Sequence, residues 1–463
     1  MRKKAILLLG VLTLALAGLT VGVYAPTAQA KVRADPVIMI GFMHPVTGGL
    51  APIDQGLIDG AYAGAYRVNI TYPFDVKLVE EDSGSGASGG TLAATNLVAA
   101  GIQVAIGAAA SGASLAAAAV FVPEEIAQVS YASTSPALTE YDDDGFLFRT
   151  VASDVYQGQA LAELAVNKSI ASPIIINRND AYGNGVAEEF SSAFEALTGD
   201  APIGQIQYDP DAFFFQAEVT QIKGSGADGV VIVSFPTDAI AIFNEAKTQA
   251  VDLPWLGTDG IASTSVTNDS AIKDYLTGKL FGTTPASGTD PGGLSIYQQY
   301  LDDLAASGGA TGIFGDYVYD AVLLVGQALN HSGIYDGDNI RDSLYATANG
   351  TAGATGGNKA FNCAGEPISQ AYDFWNATDG DIINWAPRAV DFPDIDEPAT
   401  TYPCPPPTTP TTPTTPTTTP TTTPTTTPTS TPVPTPGFEF LIVLSIFGTI
   451  GTLLIYRKTR KVK

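Results

Sequence analysis

Histidine and cysteine are nearly absent, with two of each in 463 residues. His44 and His331 stand far apart, with no acidic or thiol partner at metal-ligand spacing, so no metal site is expected and little is left for a catalytic triad. Two cysteines cannot build a disulfide scaffold. Basic residues are also scarce, 22 against 47 acidic ones. Eight of the 22 lie at the two ends, so between them 14 basic residues face 46 acidic ones and the body carries −32. That charge argues against nucleic acid and anionic lipid as partners of the folded part. Apolar residues are plentiful at 45%, enough for large cores.

Both ends read as address labels. Arg2-Lys3-Lys4, an apolar run from Ala5 to Val23 and Ala28-Gln29-Ala30 have the layout of a secretory signal over residues 1–30, with an uncleaved anchor as the alternative. Residues 403–436 are almost wholly Thr and Pro, an extended stalk near polyproline II and a candidate O-glycan carrier. In 437–463 an apolar run from Phe438 to Tyr456, interrupted only by Glu439, precedes a basic tail, as a membrane-crossing helix with a cytoplasmic end would. Pro436-Gly437-Phe438 resembles the archaeal tripartite sorting signal, in which that helix is replaced by a lipid. Export suits a disulfide between Cys363 and Cys404, pinning the end of the body where the stalk begins, with two free thiols as the alternative. Six Asn-x-Ser/Thr sequons, at Asn69, Asn167, Asn268, Asn330, Asn349 and Asn376, agree with an exported glycoprotein.

Between the ends, short β-rich runs such as Val37 to Phe42, Pro173 to Asn177 and Gly229 to Val233 alternate with helical stretches such as Asp54 to Val68, Thr91 to Ala100, Ser114 to Val122, Gln157 to Asn167, Gly183 to Thr198 and Asp238 to Ala250. The alternation predicts βαβ units, and its restart after Arg149-Thr150-Val151 predicts two doubly wound α/β lobes with parallel sheets, joined by a hinge. Ligands of such sheets bind beyond the carboxyl ends of the strands.

Several motifs fall in a familiar order: Ile40-Gly41-Phe42 through Thr47-Gly48, Ile106-Gly107 through Ser111, Ala132-Ser133-Thr134-Ser135-Pro136, Asp180-Ala181-Tyr182-Gly183, Gly257-Thr258-Asp259-Gly260 and Tyr319-Asp320-Ala321. In that order the chain resembles the type I periplasmic binding proteins, above all the branched-chain amino acid binding proteins of ABC importers, over nearly all of residues 36–390. The resemblance implies lobes at 31–150 with 285–358 and at 151–284 with 359–402, and hinge crossings near Arg149–Val151, Gly282–Pro285 and Gly356–Phe361. It implies a receptor, not an enzyme, without cofactor, that delivers a branched-chain or other neutral amino acid to a permease and its ATPase subunits as a tethered monomer. Ser111, just before a helix beginning near Ser114, matches the serine that binds the ligand carboxylate, as a helix N-terminus can. Ala132, Ser133 and Thr134 match further head-group contacts, Asp259 the partner of the ammonium, and Tyr182 the aromatic that closes over the ligand. His44 and Thr47, in the loop after the first strand, face the expected cleft mouth. The family's aromatic near Ile53 or Pro236 is missing, and Asp259 is shorter than the usual glutamate. A ligand-sensing surface receptor of the same fold and a cleft hydrolase are the competing readings.

Other acidic and glycine-rich runs read as solvated. Glu80-Glu81, Glu124-Glu125 and Asp142-Asp143-Asp144 lack a calcium-loop ladder. Gly84 to Gly90 formally contains Gly-x-Gly-x-x-Gly and, around Ser88, Gly-x-Ser-x-Gly, but has neither a ribose-binding acid nor a histidine partner, so a flexible loop is expected.

Overall fold

A computed structural model describes residues 36–288, 294–392 and 399. The expected signal, stalk, terminal helix and basic tail, and Cys404, lie outside the described residues. Cys363 is disulfide-bonded. No helix among the described residues is long and apolar enough to cross a membrane.

The β-rich runs form two sheets. In the first lobe β1 (Val37–His44), β2 (Asp75–Asp82), β3 (Val104–Ile106), β4 (Ala127–Ser130) and β5 (Leu147–Arg149) are all parallel, in the order β2-β1-β3-β4-β5. In the second, β6 (Pro173–Arg178), β7 (Gly204–Tyr208), β8 (Gly229–Val233), β9 (Trp255–Gly257) and β10 (Leu280–Pro285) are parallel. A hairpin of β11 (Gln370–Thr378) and β12 (Asp381–Phe392) adds to β10 antiparallel, so the order is β12-β11-β10-β9-β8-β6-β7. The expectation of a wholly parallel second sheet is corrected by this hairpin. Its turn residues, Asp379 (φ 51°) and Gly380 (φ 92°), are the pair that a two-residue hairpin with left-handed centres requires.

Strand periodicity places the core. Ile174, Ile176, Val230 and Ile232 enter one buried cluster, while Ile175, Val231 and Val233 enter the other, so both faces of the second sheet are covered. The covering helices of the first lobe are α1 (Asp54–Thr71), α2 (Ala87–Ala99) and α3 (Ser111–Phe121). The second lobe has α4 (Asp154–Asn167), α5 (Ala181–Thr198), α6 (Gln216–Gly224) and α7 (Pro236–Thr248). After β10 the chain returns to the first lobe, where α8 (Leu294–Ser307) and α9 (Gly315–Ser332) pack on α1, and α10 (Gly337–Ala348) on α9. Gly282–Pro285, expected as a hinge crossing, lies inside β10, and the chain leaves the second sheet just after it.

Helices α1 and α9 meet at glycine. A Cβ on Gly60 would lie 2.2 Å from the Gly315 carbonyl oxygen, and one on Gly64 would lie 2.7 Å from Val322. Gly60→Ala is therefore expected to push the helices apart and destabilise the fold by about 1–3 kcal/mol. Thermal melting checks this, and an unchanged midpoint would contradict the close pairing.

Two solvated readings are corrected. Asp143 accepts the backbone N–H groups of Gly145 (2.7 Å) and Leu147 (3.2 Å), and burial pushes its carboxyl up to about 6. The Gly84–Gly90 stretch is folded: Ser85, at φ 56°, donates from Oγ to the Thr47 carbonyl (2.9 Å) and accepts from the Leu50 N–H (3.1 Å). Ser88 lies in the first turn of α2 and is exposed, with no strained elbow around it. His331 sits in the last turn of α9, where a cation suits the helix dipole, with Nδ1 3.2 Å from Ser343 Oγ.

Candidate functional site

The carboxyl ends of β3 and β4 open into two loops that the small residues of this stretch allow to pack closely. The first ends at α3, whose first residue is Ser111 itself, not Ser114 as expected. Leading N–H groups of a helix have no intrahelical partner and carry the positive end of its dipole. Ser111 is buried, and its Oγ accepts the Ser135 N–H at 3.2 Å, which leaves the hydroxyl proton to donate. From the second loop Ala132 lines the same space. Ser133 does not: its Oγ lies 2.8 Å from Ser114 Oγ and donates to the Ala108 carbonyl at 3.2 Å, tying the loops together inside the lobe. Thr134 is fully buried, and its carbonyl accepts the Asp154 N–H at 2.7 Å.

From the second lobe, α5 presents Tyr182. Asp180 caps the helix by accepting the Gly183 N–H at 2.9 Å. The Tyr182 hydroxyl donates to Asp259 Oδ1 at 2.7 Å, lies 2.7 Å from Thr258 Oγ1 and accepts the Gly260 N–H at 3.2 Å. Its ring stacks on Phe235, centroids 5.5 Å apart, and the Arg178 guanidinium lies over the Phe235 ring at 4.0 Å. Arg178 is in turn paired with Asp180 and Asp238. The aromatic expected to be missing near Pro236 is thus supplied by Phe235.

A further acid belongs here that the sequence reading passed over. Asp154 opens α4 and is fully buried beside the Thr134 hydroxyl. Burial, and next the charge of Asp259, hold its carboxyl well above the usual range. Asp259 is raised too, chiefly by burial, with the bond from Tyr182 working against the rise. The signal was present as Ser153-Asp154, a capping pair at a helix start.

The lobes meet over this set. Ser135 Oγ donates to the Ala181 carbonyl (2.8 Å), and Thr237 Oγ1 to the Gly49 carbonyl (3.3 Å). Between them lies a cavity with Ala110, Ser111 and Ala132 on one side and Tyr182, Phe235 and Asp259 on the other. Leu50, Ile53 and Phe314 complete its apolar wall. Its volume is about 20 Å³, room for roughly one water. One end offers N–H and O–H donors and the other offers the Asp259 carboxylate, an arrangement complementary to a dipolar solute.

His44 and Thr47 are elsewhere. His44 is 3% exposed, with Nδ1 2.7 Å from Asp54 and its ring stacked on Phe42 at 4.8 Å, because the side chain at the end of β1 turns into the lobe. Thr47 is held by Asp82 through Oγ1 (2.7 Å) and N–H (3.1 Å). No group of His, Cys, Asp and Glu among the described residues could hold a metal ion.

Asp143 and Asp316, each raised to about 6 by burial, and Asp154, also raised, bind protons more tightly in the folded than in the unfolded chain. For Asp143 and Asp316 this favourable contribution is full below about pH 4 and is lost as pH rises through about 6. The ligand-free protein is therefore expected to melt higher at about pH 5 than at about pH 7.5 in scanning calorimetry, and the opposite order would contradict these assignments.

Known proteins share this fold. An amino acid binding protein of Pseudomonas aeruginosa is 24% identical over 306 residues, covering 65% of this chain and 80% of that protein. The solved branched-chain amino acid transporter substrate-binding protein LivJ of Streptococcus pneumoniae, in complex with isoleucine, superposes with a TM-score of 0.66 at 23% identity, over 75% of this chain and 97% of its own. A solute-binding protein of an ABC transporter from R. palustris, in complex with 4-hydroxybenzoate, superposes with 0.67 at 16% identity, over 78% and 98%, so one fold serves different solutes. The periplasmic binding protein family model matches residues 37–380, and the chain belongs to that family.

Proposed function

We propose that this protein is the receptor of an ABC importer, held on the outer face of the cell membrane, that closes its two lobes on an α-amino acid and presents the closed form to a permease and its ATPase subunits. The observation that carries the reading is the polarity of the cavity: the start of α3 with Ser111 on one side and the buried Asp259 on the other, with Asp154 behind it. A carboxylate suits the first pole and an ammonium, with three donors, the second. Amino acids are also what the Pseudomonas and Streptococcus relatives bind. Because the closed cavity holds about 20 Å³, the ligand enters when the lobes part, and closure is driven only by contacts it makes to both. Binding without turnover fits a cleft that neither His44 nor His331 reaches.

Residues 1–30 would export the chain, and 437–463, or a lipid in their place, would hold it, with 403–436 as the leash and the sequons as glycan sites. Calorimetric titration of the full chain with a panel of L-amino acids tests the reading. At least one is expected to bind with one-to-one stoichiometry and to lose affinity in Ser111→Ala, and no binding across the panel would refute it.

A further inference from the structure

Ile53 and Phe314 line two spaces, the narrow cavity above and a second one of about 880 Å³ that adjoins it. The second cavity is polar and acidic: Asp59, Asp316 and Asp373 line it, with Ser287 and Tyr297, and no lysine or arginine lines it among the described residues. Asp316 is the unusual member. It is 3% exposed; Oδ2 accepts from Ser287 Oγ, and Oδ1 from the neighbouring Tyr317 N–H at 3.1 Å, and neither donor is a cation. The overall acidity of the body explains solvated carboxylates but not one withdrawn from water, which is costly unless a positive charge compensates it.

We propose that the amino acid recognised by this cleft carries a cationic side chain, whose stem runs past Ile53 and Phe314 and whose charge rests in the second cavity beside Asp316 and Asp59. This rests on the receptor reading above, in which Ser111 and Asp259 mark the place of the head group. The wall supplied by Ile53 and Phe314 suits methylenes, and the acids beyond it suit an ammonium or guanidinium. A purely aliphatic side chain would meet those carboxylates without satisfying them. The inference departs from the neutral ligand that the family resemblance implies.

Titration calorimetry on the full chain with L-lysine, L-norleucine and L-leucine tests it, since norleucine keeps the stem and lacks the terminal charge. Lysine is expected to bind at least about tenfold more tightly than norleucine, and Asp316→Asn or Asp59→Asn to shrink that margin while leaving norleucine unchanged. Equal or weaker binding of lysine, or an unchanged margin in both variants, would overturn the proposal. Should Asp316→Asn fail to fold, as its melting would show, the half-buried Asp59→Asn decides alone. If amino acids bind without a preference for charge, the side-chain proposal alone fails; if none binds, the receptor reading fails with it.

Discussion

Arg149→Ala is expected to destabilise the protein by about 3–5 kcal/mol, which at roughly 2 °C per kcal/mol for a body of this size is a fall of about 6–10 °C in melting temperature. Arg149 ends β5, where the chain first crosses between lobes, and is 2% exposed. Its guanidinium donates to the carbonyls of Ser133 (3.3 Å) and Ser135 (2.9 Å), to Thr139 Oγ1 (2.9 Å) and to the buried carboxylate of Glu366. Truncation leaves Glu366 charged, buried and without its ion-pair partner, and frees the carbonyls of Ser133 and Ser135. Arg149→Lys keeps the charge but not the planar fork, so an intermediate loss is expected. Arg149→Met combined with Glu366→Gln should recover much of the loss, because it removes the orphaned charge along with its partner. A midpoint within about 1 °C of the parent for Arg149→Ala would show that the ion pair carries little.

Asp154→Asn is expected to move stability and affinity in opposite directions. In the free protein the substitution removes a buried carboxylate that is opposed by Asp259, so the melting temperature should rise. With ligand, the same change removes a charged acceptor for the ammonium, so affinity should fall by about 1.5–3 kcal/mol, roughly 10- to 150-fold. Calorimetric melting and titration on one preparation separate the two. A variant less stable and equally able to bind would mean that Asp154 is structural only. Asp259→Asn should weaken binding similarly but without the gain in stability, because Asp259 is already served by Tyr182.

The architecture was legible because alternation of β-branched runs and helical stretches survives even in a chain so rich in alanine and glycine. The hairpin of β11 and β12 was not, since its aromatic run and Asp-Gly turn follow a long stretch of loops and helices. Helix starts were the weak point, and the site is built on them. Expected starts at Ser114, Gln157, Gly183 and Asp238 lie two or three residues late against Ser111, Asp154, Ala181 and Pro236. First-turn residues leave little periodic signal because their N–H groups face outward, toward a cap or a ligand. That lateness hid Asp154 in an apparent loop, and it left Phe235, one residue before α7, outside the expected pocket. His44 was misplaced for a different reason: the end of a strand fixes where the backbone is, not which face the side chain takes.

The central claim is that one cavity recognises both poles of an α-amino acid across two lobes. It is tested most directly by titrating the full chain with the best-binding L-amino acid and with its N-acetyl and amide derivatives, in which one pole at a time loses its charge. The free amino acid is expected to bind one-to-one, and each derivative to lose at least about 1.5 kcal/mol, roughly tenfold or more in affinity. Equal affinity of either derivative would contradict two-pole recognition and place the ligand elsewhere.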